Sequence, residues 1–328
     1  MNRFEWVNAS SIEQAVAELS AGAVAKAGGI DVMDLLKEHI IEPRRLINLR
    51  TIRGLDQIRD GDDGLRIGPM VTLARLADDP VVRKRYRALA EAAGHAATPQ
   101  IRNAATLGGN LLQRPRCWYF RSEQFVCKKK GGDLCFATAP TGENAYHAIF
   151  DNKLCAAVHP SATATALIAL GARLRLHGAR GAREVALDQF FVAPDKDVER
   201  ENSLAPDGEL VVEITVPAPA RGASSAYTKQ GEKESYDWPL AEVAVAIEQE
   251  AGTCKRASIV LGAAAPVPYR ASAAEKALTG RRIDESTAGE AARAALAGAT
   301  PLAQNGYKVQ IFQTIVRRTI LAARGSAS

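Results

Sequence analysis

The sequence predicts an α+β protein of two successive domains, and three stretches carry that prediction. Residues 24–37 read as a strand, a glycine turn and a helix. Residues 217–225, with Pro217 and Pro219, have linker composition, and the last third places strands ahead of two helices. A chain of 328 residues is long enough for more than one buried core. Residues 1–218 are therefore assigned to a first domain, with lobes at 1–55 and 56–218, and residues 219–328 to a second.

The elements follow from local signals. Over residues 8–19, Ser10 and Ser11 are N-cap candidates with Glu13 and Gln14 as capping-box partners, and Ile12, Val16 and Leu19 share one helical face. Residues 24–27 form a short strand stopped by Gly28 and Gly29, after which residues 31–37 resume as a helix with Asp31 in its first turn. Strands follow at 45–49 and 65–67, the second preceded by a turn over 60–64. Val82, Tyr86, Leu89 and Ala93 recur at helical spacing and predict one helix ending near Gly94. Residues 163–170 are a small-residue helix closed by Gly171, followed by strands at 173–176 and 210–216. In the second domain Val243, Val245 and Ile247 alternate as a strand, residues 259–261 form another, and helices cover 285–296 and 311–323.

Composition excludes several classes. Apolar residues make up 47% and charged residues 24%, as in an ordinary globular chain. A net charge of +5, with Lys128, Lys129 and Lys130 as the one basic run, gives no reason to expect nucleic acid; the run reads as a solvated loop. No apolar run is long enough for a membrane span. Residues 1–6 lack a signal-peptide apolar region, so synthesis in the cytoplasm is expected. Five cysteines, an odd number, argue against a fully paired disulfide framework and toward metal or cluster ligation. No Ser/His/Asp or paired-carboxylate set suggests hydrolysis.

Two glycine turns carry the chemistry. Ala27-Gly28-Gly29-Ile30-Asp31 lets backbone N–H groups approach a pyrophosphate at a helix N-terminus, and Thr106-Leu107-Gly108-Gly109-Asn110 repeats the device with an amide beside it. Neither has the spacing of the dinucleotide fingerprint or the Walker loop. Together with Ile101-Arg102-Asn103, Ala105 and His159-Pro160-Ser161, they resemble the FAD-binding medium subunit of the molybdenum hydroxylases. That is the family of xanthine dehydrogenase, carbon monoxide dehydrogenase and bacterial aldehyde oxidoreductases. The resemblance covers nearly the whole chain. It implies a two-part FAD-binding domain of the vanillyl-alcohol-oxidase/PCMH type and an α+β flavoprotein C-terminal domain.

It also implies that FAD is held by Lys26, Ala27, Gly28, Gly29, Ile30, Asp31 and Val32 on one side. Thr106, Gly108, Gly109, Asn110, Gln113, Ser161 and Lys229 complete the implied set. Two positions depart from the family: Ile30 stands where Thr is common, and Ala162 where Asp commonly follows the Ser. The first removes a hydroxyl and the second a carboxylate, which implies a different or weaker hold on FAD. Tyr236, Asp237, Trp238 and Pro239 are an aromatic turn that would face the flavin or simply pack on the sheet.

Four cysteines lie between the second turn and Ser161. Cys117, Cys127, Cys135 and Cys155 are separated by nine, seven and nineteen residues, which matches neither zinc-ribbon nor ferredoxin spacing. From the residues alone a cubane iron–sulfur cluster, a four-cysteine zinc site, two disulfides and unconnected thiols all stand open. Residues 114–160 resemble the four-iron, four-sulfur insertion in FAD subunits of the periplasmic aldehyde oxidoreductase type and, with other spacing, of 4-hydroxybenzoyl-CoA reductase. That resemblance implies a 4Fe-4S cluster on the four cysteines, with Arg114, Arg116 and Lys128 to Lys130 as nearby cations and Trp118, Tyr119 and Phe120 as shielding. Cys254 reads as a small buried hydrophobe, and His147 and His159 as structural.

The resemblance implies an electron-transfer subunit of a heterotrimer. A molybdenum-pterin-binding large subunit would oxidise an aldehyde, a small 2Fe-2S subunit would relay electrons, and the FAD here would pass them to an external acceptor. Co-export with a signal-bearing partner would place the complex in the periplasm. The runner-up is a 4-hydroxybenzoyl-CoA-reductase-like complex; a flavin-free structural subunit with a zinc site is the reading from another class.

Overall fold

The computed structural model describes residues 1–19, 22–205 and 208–324. The first lobe is a small parallel sheet of β1 (Glu5–Asn8), β2 (Ala23–Lys26) and β3 (Arg45–Asn48), in the order β1-β3-β2. Helix α1 (Ile12–Glu18) crosses from β1 to β2, and α2 (Ile30–Lys37) leads from β2 toward β3. The cap at Ser11 forms as expected: its hydroxyl accepts the Gln14 N–H at 3.1 Å, and the Gln14 side chain accepts the Ser10 N–H at 2.8 Å. Strand β1 carries no alternating apolar pattern, since it is mostly exposed, and was not expected from sequence.

The second lobe is an antiparallel sheet in the order β4-β5-β8-β6-β7, from β4 (Ile58–Gly61), β5 (Gly64–Ile67), β6 (Arg173–Gly178), β7 (Gly181–Ala186) and β8 (Glu209–Pro217). Helices α3 (Leu73–Asp78), α4 (Pro80–Arg85), α5 (Arg87–His95), α6 (Pro99–Ala104) and α7 (Leu107–Leu111) follow β5, and α9 (Ala162–Ala169) follows the cysteine insertion, which contains α8 (Trp118–Arg121). The single helix expected over 82–93 is two. Tyr86 leaves helical geometry at φ −132°, while its ring, Val82, Leu89 and Ala93 still enter one core. The apolar spacing survived the break because both helices feed the same core.

The last sheet is antiparallel, β12-β11-β10-β9, from β9 (Ala223–Gln230), β10 (Ala241–Glu250), β11 (Thr253–Gly262) and β12 (Tyr269–Arg270). Helices α10 (Ser272–Leu278), α11 (Glu285–Ala295) and α12 (Tyr307–Ala323) cover one face. Alternation sends Val243, Val245, Ile259 and Leu261 to those helices, while Tyr227, Ala244 and Val260 join the core around α5 and α9. The stretch read as linker is reduced to 218–222 by β8 and β9.

The insertion docks on the C-terminal helical layer. Asn305 Nδ2 donates to the His147 and Ala148 carbonyls at 3.0 and 3.1 Å, and the fully buried Lys308 Nζ donates to the carbonyls of His147 at 3.0 Å and Ala263 at 2.7 Å. Among the described residues, no helix is long and apolar enough to cross a membrane.

Candidate functional site

The two glycine turns face one cavity of about 520 Å³. At the first, Gly29 takes φ +89° and caps α2, a conformation glycine adopts without steric cost. Gly28 is pressed against the other turn's approach: a Cβ there would stand 2.2 Å from the Ala104 carbonyl oxygen. At the second, the Thr106 hydroxyl accepts the Gly109 N–H at 3.2 Å and caps α7, and a Cβ on Gly108 would stand 2.8 Å from Pro69. The turns are thus one packed unit. The first turn of α2 leaves N–H groups without helical partners, and the helix dipole favours an anion there.

Ala27, Gly28, Gly29, Ile30, Asp31 and Val32 line one wall, and Thr106, Gly108, Gly109, Asn110 and Gln113 another. The Asn110 Oδ1 is occupied by the Ser161 and Thr163 hydroxyls at 2.7 and 2.6 Å, which leaves its Nδ2 as the donor for an occupant. Gln113 Nε2 donates to the Asn110 carbonyl at 2.9 Å and so braces the turn.

Two residues expected in the wall are outside it. Lys26 sits over the Trp6 ring, with Nζ 5.4 Å from the centroid, and its stem lies against Gly29, where a Cβ would stand 2.8 Å from Lys26 Cε. Ser161 is fully buried behind the wall, where its hydroxyl donates to Asn110 and caps α9 by accepting the Ala164 N–H at 3.0 Å. Ala162 and Ile30, the two departures, both line the cavity.

Asp31 has a different task from its neighbours. Its carboxylate takes Arg121 at 2.7 Å, Arg116 at 2.8 Å and the Arg114 N–H at 2.9 Å, so its charge is neutralised next to a site suited to anions. The same contacts fasten the stem of the cysteine insertion.

The second domain closes the other end. Lys229 reaches the cavity from β9, and its Nζ donates to the His95 carbonyl at 3.2 Å; burial lowers its pKa. Tyr236, Asp237, Trp238 and Pro239 line the cavity as well, with the Arg116 guanidinium 5.0 Å from the Trp238 ring and that of Arg102 5.9 Å from Tyr236. Glu242 also lines it and was missed from sequence. Its signal was one charged residue inside an apolar strand.

Cys117, Cys127, Cys135 and Cys155 line a separate cavity of about 20 Å³, together with Tyr119, Phe120 and Phe136. All five cysteines are free thiols, so the two-disulfide arrangement is not formed, and Cys254 lies in the second domain's core. Burial pushes the Cys117 thiol up to about 12 and the Cys155 thiol up to about 11. Neutral buried thiols of this kind exchange their protons for a metal when one binds. His147 Nε2 lies 3.3 Å from the Cys117 sulfur, and Trp118 packs edge-on to that imidazole at 4.9 Å. Among the described residues no group of three or more His, Cys, Asp or Glu is poised around the position of a single metal ion. Lys129, nearly fully buried, pairs with Glu201 at 3.1 Å, and Arg114 meets the same carboxylate at 3.0 Å.

Residues 2–219 match the FAD binding domain in molybdopterin dehydrogenase, and residues 225–323 match the CO dehydrogenase flavoprotein C-terminal domain. The chain is 34% identical over 329 residues to the aldehyde oxidoreductase FAD-binding subunit PaoB of Escherichia coli (strain K12), spanning 99% of this chain and 98% of that one. It is 29% identical over 328 residues to the carbon monoxide dehydrogenase medium chain of Hydrogenophaga pseudoflava, with 98% and 97% coverage. Among solved structures, carbon monoxide dehydrogenase from Hydrogenophaga pseudoflava lacking the Mo-pyranopterin moiety superposes with a TM-score of 0.77 at 30% identity, covering 98% of this chain and 97% of that one.

Proposed function

The chain belongs to the family of FAD-binding subunits of molybdopterin dehydrogenases, and from that premise we propose that it is the electron-transfer subunit of a heterotrimeric molybdenum-containing aldehyde oxidoreductase. Its partners in this reading are a molybdenum-pterin-binding large subunit and a 2Fe-2S small subunit, and its FAD delivers electrons to an external acceptor. The observation that carries the reading is the single cavity shared by both glycine turns, in a chain 34% identical to an aldehyde oxidoreductase FAD-binding subunit.

The residues fit the cofactor. The two glycine turns, packed into one unit beside the cavity, and the open N-terminus of α2 suit a pyrophosphate, and Asn110 Nδ2 offers a side-chain donor. The opposite end, walled by Tyr236, Trp238, Lys229 and Glu242, is left for the isoalloxazine. The bound flavin supplies the redox chemistry, accepting electrons in pairs or singly. The protein's own residues bind the phosphates, orient the ring and keep water from it.

What supports a 4Fe-4S cluster in this reading is donor chemistry: four free thiols line one small apolar cavity, with Lys129 beside them. Cys117, Cys127, Cys135 and Cys155 would hold it as thiolates.

The visible spectrum of the purified complex tests both assignments. Flavin bands on a broad iron–sulfur absorption are expected, along with turnover of aldehydes from a substrate panel; a colourless, zinc-containing protein would overturn the reading.

A further inference from the structure

Strand β10 carries one charged side chain in its fully buried stretch, Glu242, and nothing in the proposed function uses it. It is 2% exposed and lines the flavin cavity from the second domain. The strand's alternation puts it there, since Val243 and Val245 turn to the helical layer and Ala244 turns with Glu242 to the first domain.

The surroundings are shaped to this carboxyl. Its register partner on β11 is Gly262, where a Cβ would stand 2.4 Å from Glu242 Oε2 and 2.5 Å from the Thr165 hydroxyl. Its partner on β9 is Lys229, whose Nζ is bonded to the His95 carbonyl. Tyr227, two residues earlier on the same face of β9, holds its buried hydroxyl beside Glu242, where it favours the ionised carboxylate. Lys308 of α12 is the remaining charge that acts on it. The cavity's other carboxylates are spent or peripheral: Asp31 is held by two arginines, Asp34 pairs with Arg116 at its exposed end, and Asp237 sits on the exposed turn. On the α9 side, Ala162 brings none.

We propose that Glu242 is a charge-setting residue of the flavin cavity, whose ionisation makes the wall facing the isoalloxazine neutral or anionic and so couples the flavin's reduction potential to pH. The proposal rests on the flavin reading. Burial pushes the Glu242 carboxyl up to about 7, against the pull of Tyr227, Lys229 and Lys308. A flavin that takes up electrons gains negative charge, and a carboxylate in a dry wall opposes that gain while a neutral acid does not.

The test is a spectroelectrochemical titration of the purified, flavin-loaded complex from about pH 6 to about pH 8.5, in wild type and Glu242→Gln. The two potentials should agree at the acid end, and the variant's should rise progressively above the wild type's beyond pH about 7. Potentials differing by the same amount at every pH, or not at all, would overturn the proposal. Wild-type protein without flavin would instead remove the reading beneath it. Should Glu242→Gln fail to retain FAD, calorimetric titration of FAD into flavin-depleted wild type, in two buffers of different protonation enthalpy, gives the second measurement. Net proton uptake near neutral pH supports Glu242 as the group, and heats independent of buffer refute it.

Discussion

Arg121 donates to Asp31 at 2.7 Å, and this contact joins the first glycine turn to the stem of the cysteine insertion. Arg116 meets the same oxygen at 2.8 Å, and the Arg114 N–H takes the other at 2.9 Å. The flavin wall and the cysteine site therefore share one anchor. Both guanidiniums are mostly buried, and Arg121 Nη1 and Arg116 Nε have no hydrogen-bond partner. The Asp31 carboxylate is the anion the two share; Arg116 also meets Asp34 at 3.0 Å, and Arg121 donates to the Pro115 and Arg114 carbonyls.

Replacing Asp31 with Ala leaves the buried Arg121 without its anion and Arg116 with only the half-exposed Asp34. Breaking such a buried pair from one side costs roughly 3 kcal/mol. The variant should melt well below wild type and lose FAD and iron together, read by denaturant titration and cofactor analysis. Asp34→Ala is the control: its carboxylate is half exposed, and its loss should leave both cofactors bound. Loss of FAD with full iron in Asp31→Ala would separate the two sites and refute the shared anchor.

The glycines of the turns differ in what surrounds them. At Gly28 a Cβ meets backbone, the Ala104 carbonyl at 2.2 Å, so Gly28→Ala has to push the two turns apart. A cost of about 1–3 kcal/mol and a weakened hold on FAD are expected. At Gly109 the nearest atom is the Thr106 hydroxyl at 3.1 Å, a side-chain atom at a looser distance instead of backbone at 2.2 Å. Gly109→Ala should retain more flavin than Gly28→Ala, measured by FAD stoichiometry after gel filtration.

What could be read in the sequence follows from how local its cause is. Helix α1 was legible because Ser11, Gln14 and an apolar stripe lie within a dozen residues, and β10 because Val243, Val245 and Ile247 alternate along it. Strand β1 was not, since its residues are mostly exposed and it is held by pairing with β3, 40 residues away. The same logic divides the site. The glycine turns announce themselves by motif, whereas Lys26 falls outside the wall through its seat over the Trp6 ring of another strand, and Ser161 through a long-range bond to Asn110. Glu242 reaches the cavity only because the second domain packs its sheet against α5 and α9.

The cysteine site makes a compositional prediction. Cys135 is one of the four thiols around the small cavity, while Cys254 is fully buried in another core. Cys135→Ser should therefore lower iron content and bleach the broad absorption without removing FAD. Cys254→Ala should leave iron unchanged and cost only packing energy. Iron unchanged in Cys135→Ser would show that the ligand set is wrong.

Buried ionisable groups of opposite kind also predict how stability depends on pH. Glu242 is pushed up to about 7 from its ordinary value, so between roughly pH 4.5 and 7 the folded chain binds more protons there than the unfolded one. Its contribution is fully present below that window and is lost as pH rises through about 7, by at most about 3 kcal/mol. Lys308 is pushed down to about 7 by burial, so above that pH the unfolded chain binds the extra proton and stability rises toward the ordinary lysine value. These two residues together favour a minimum near neutrality. Urea midpoints across pH should fall less steeply on the acid side in Glu242→Gln and rise less steeply on the alkaline side in Lys308→Met. The Lys308 variant should be the less stable throughout, because the Ala263 carbonyl loses its donor and that of His147 keeps only Asn305. Unchanged slopes in both variants would mean that neither group changes its protonation on folding.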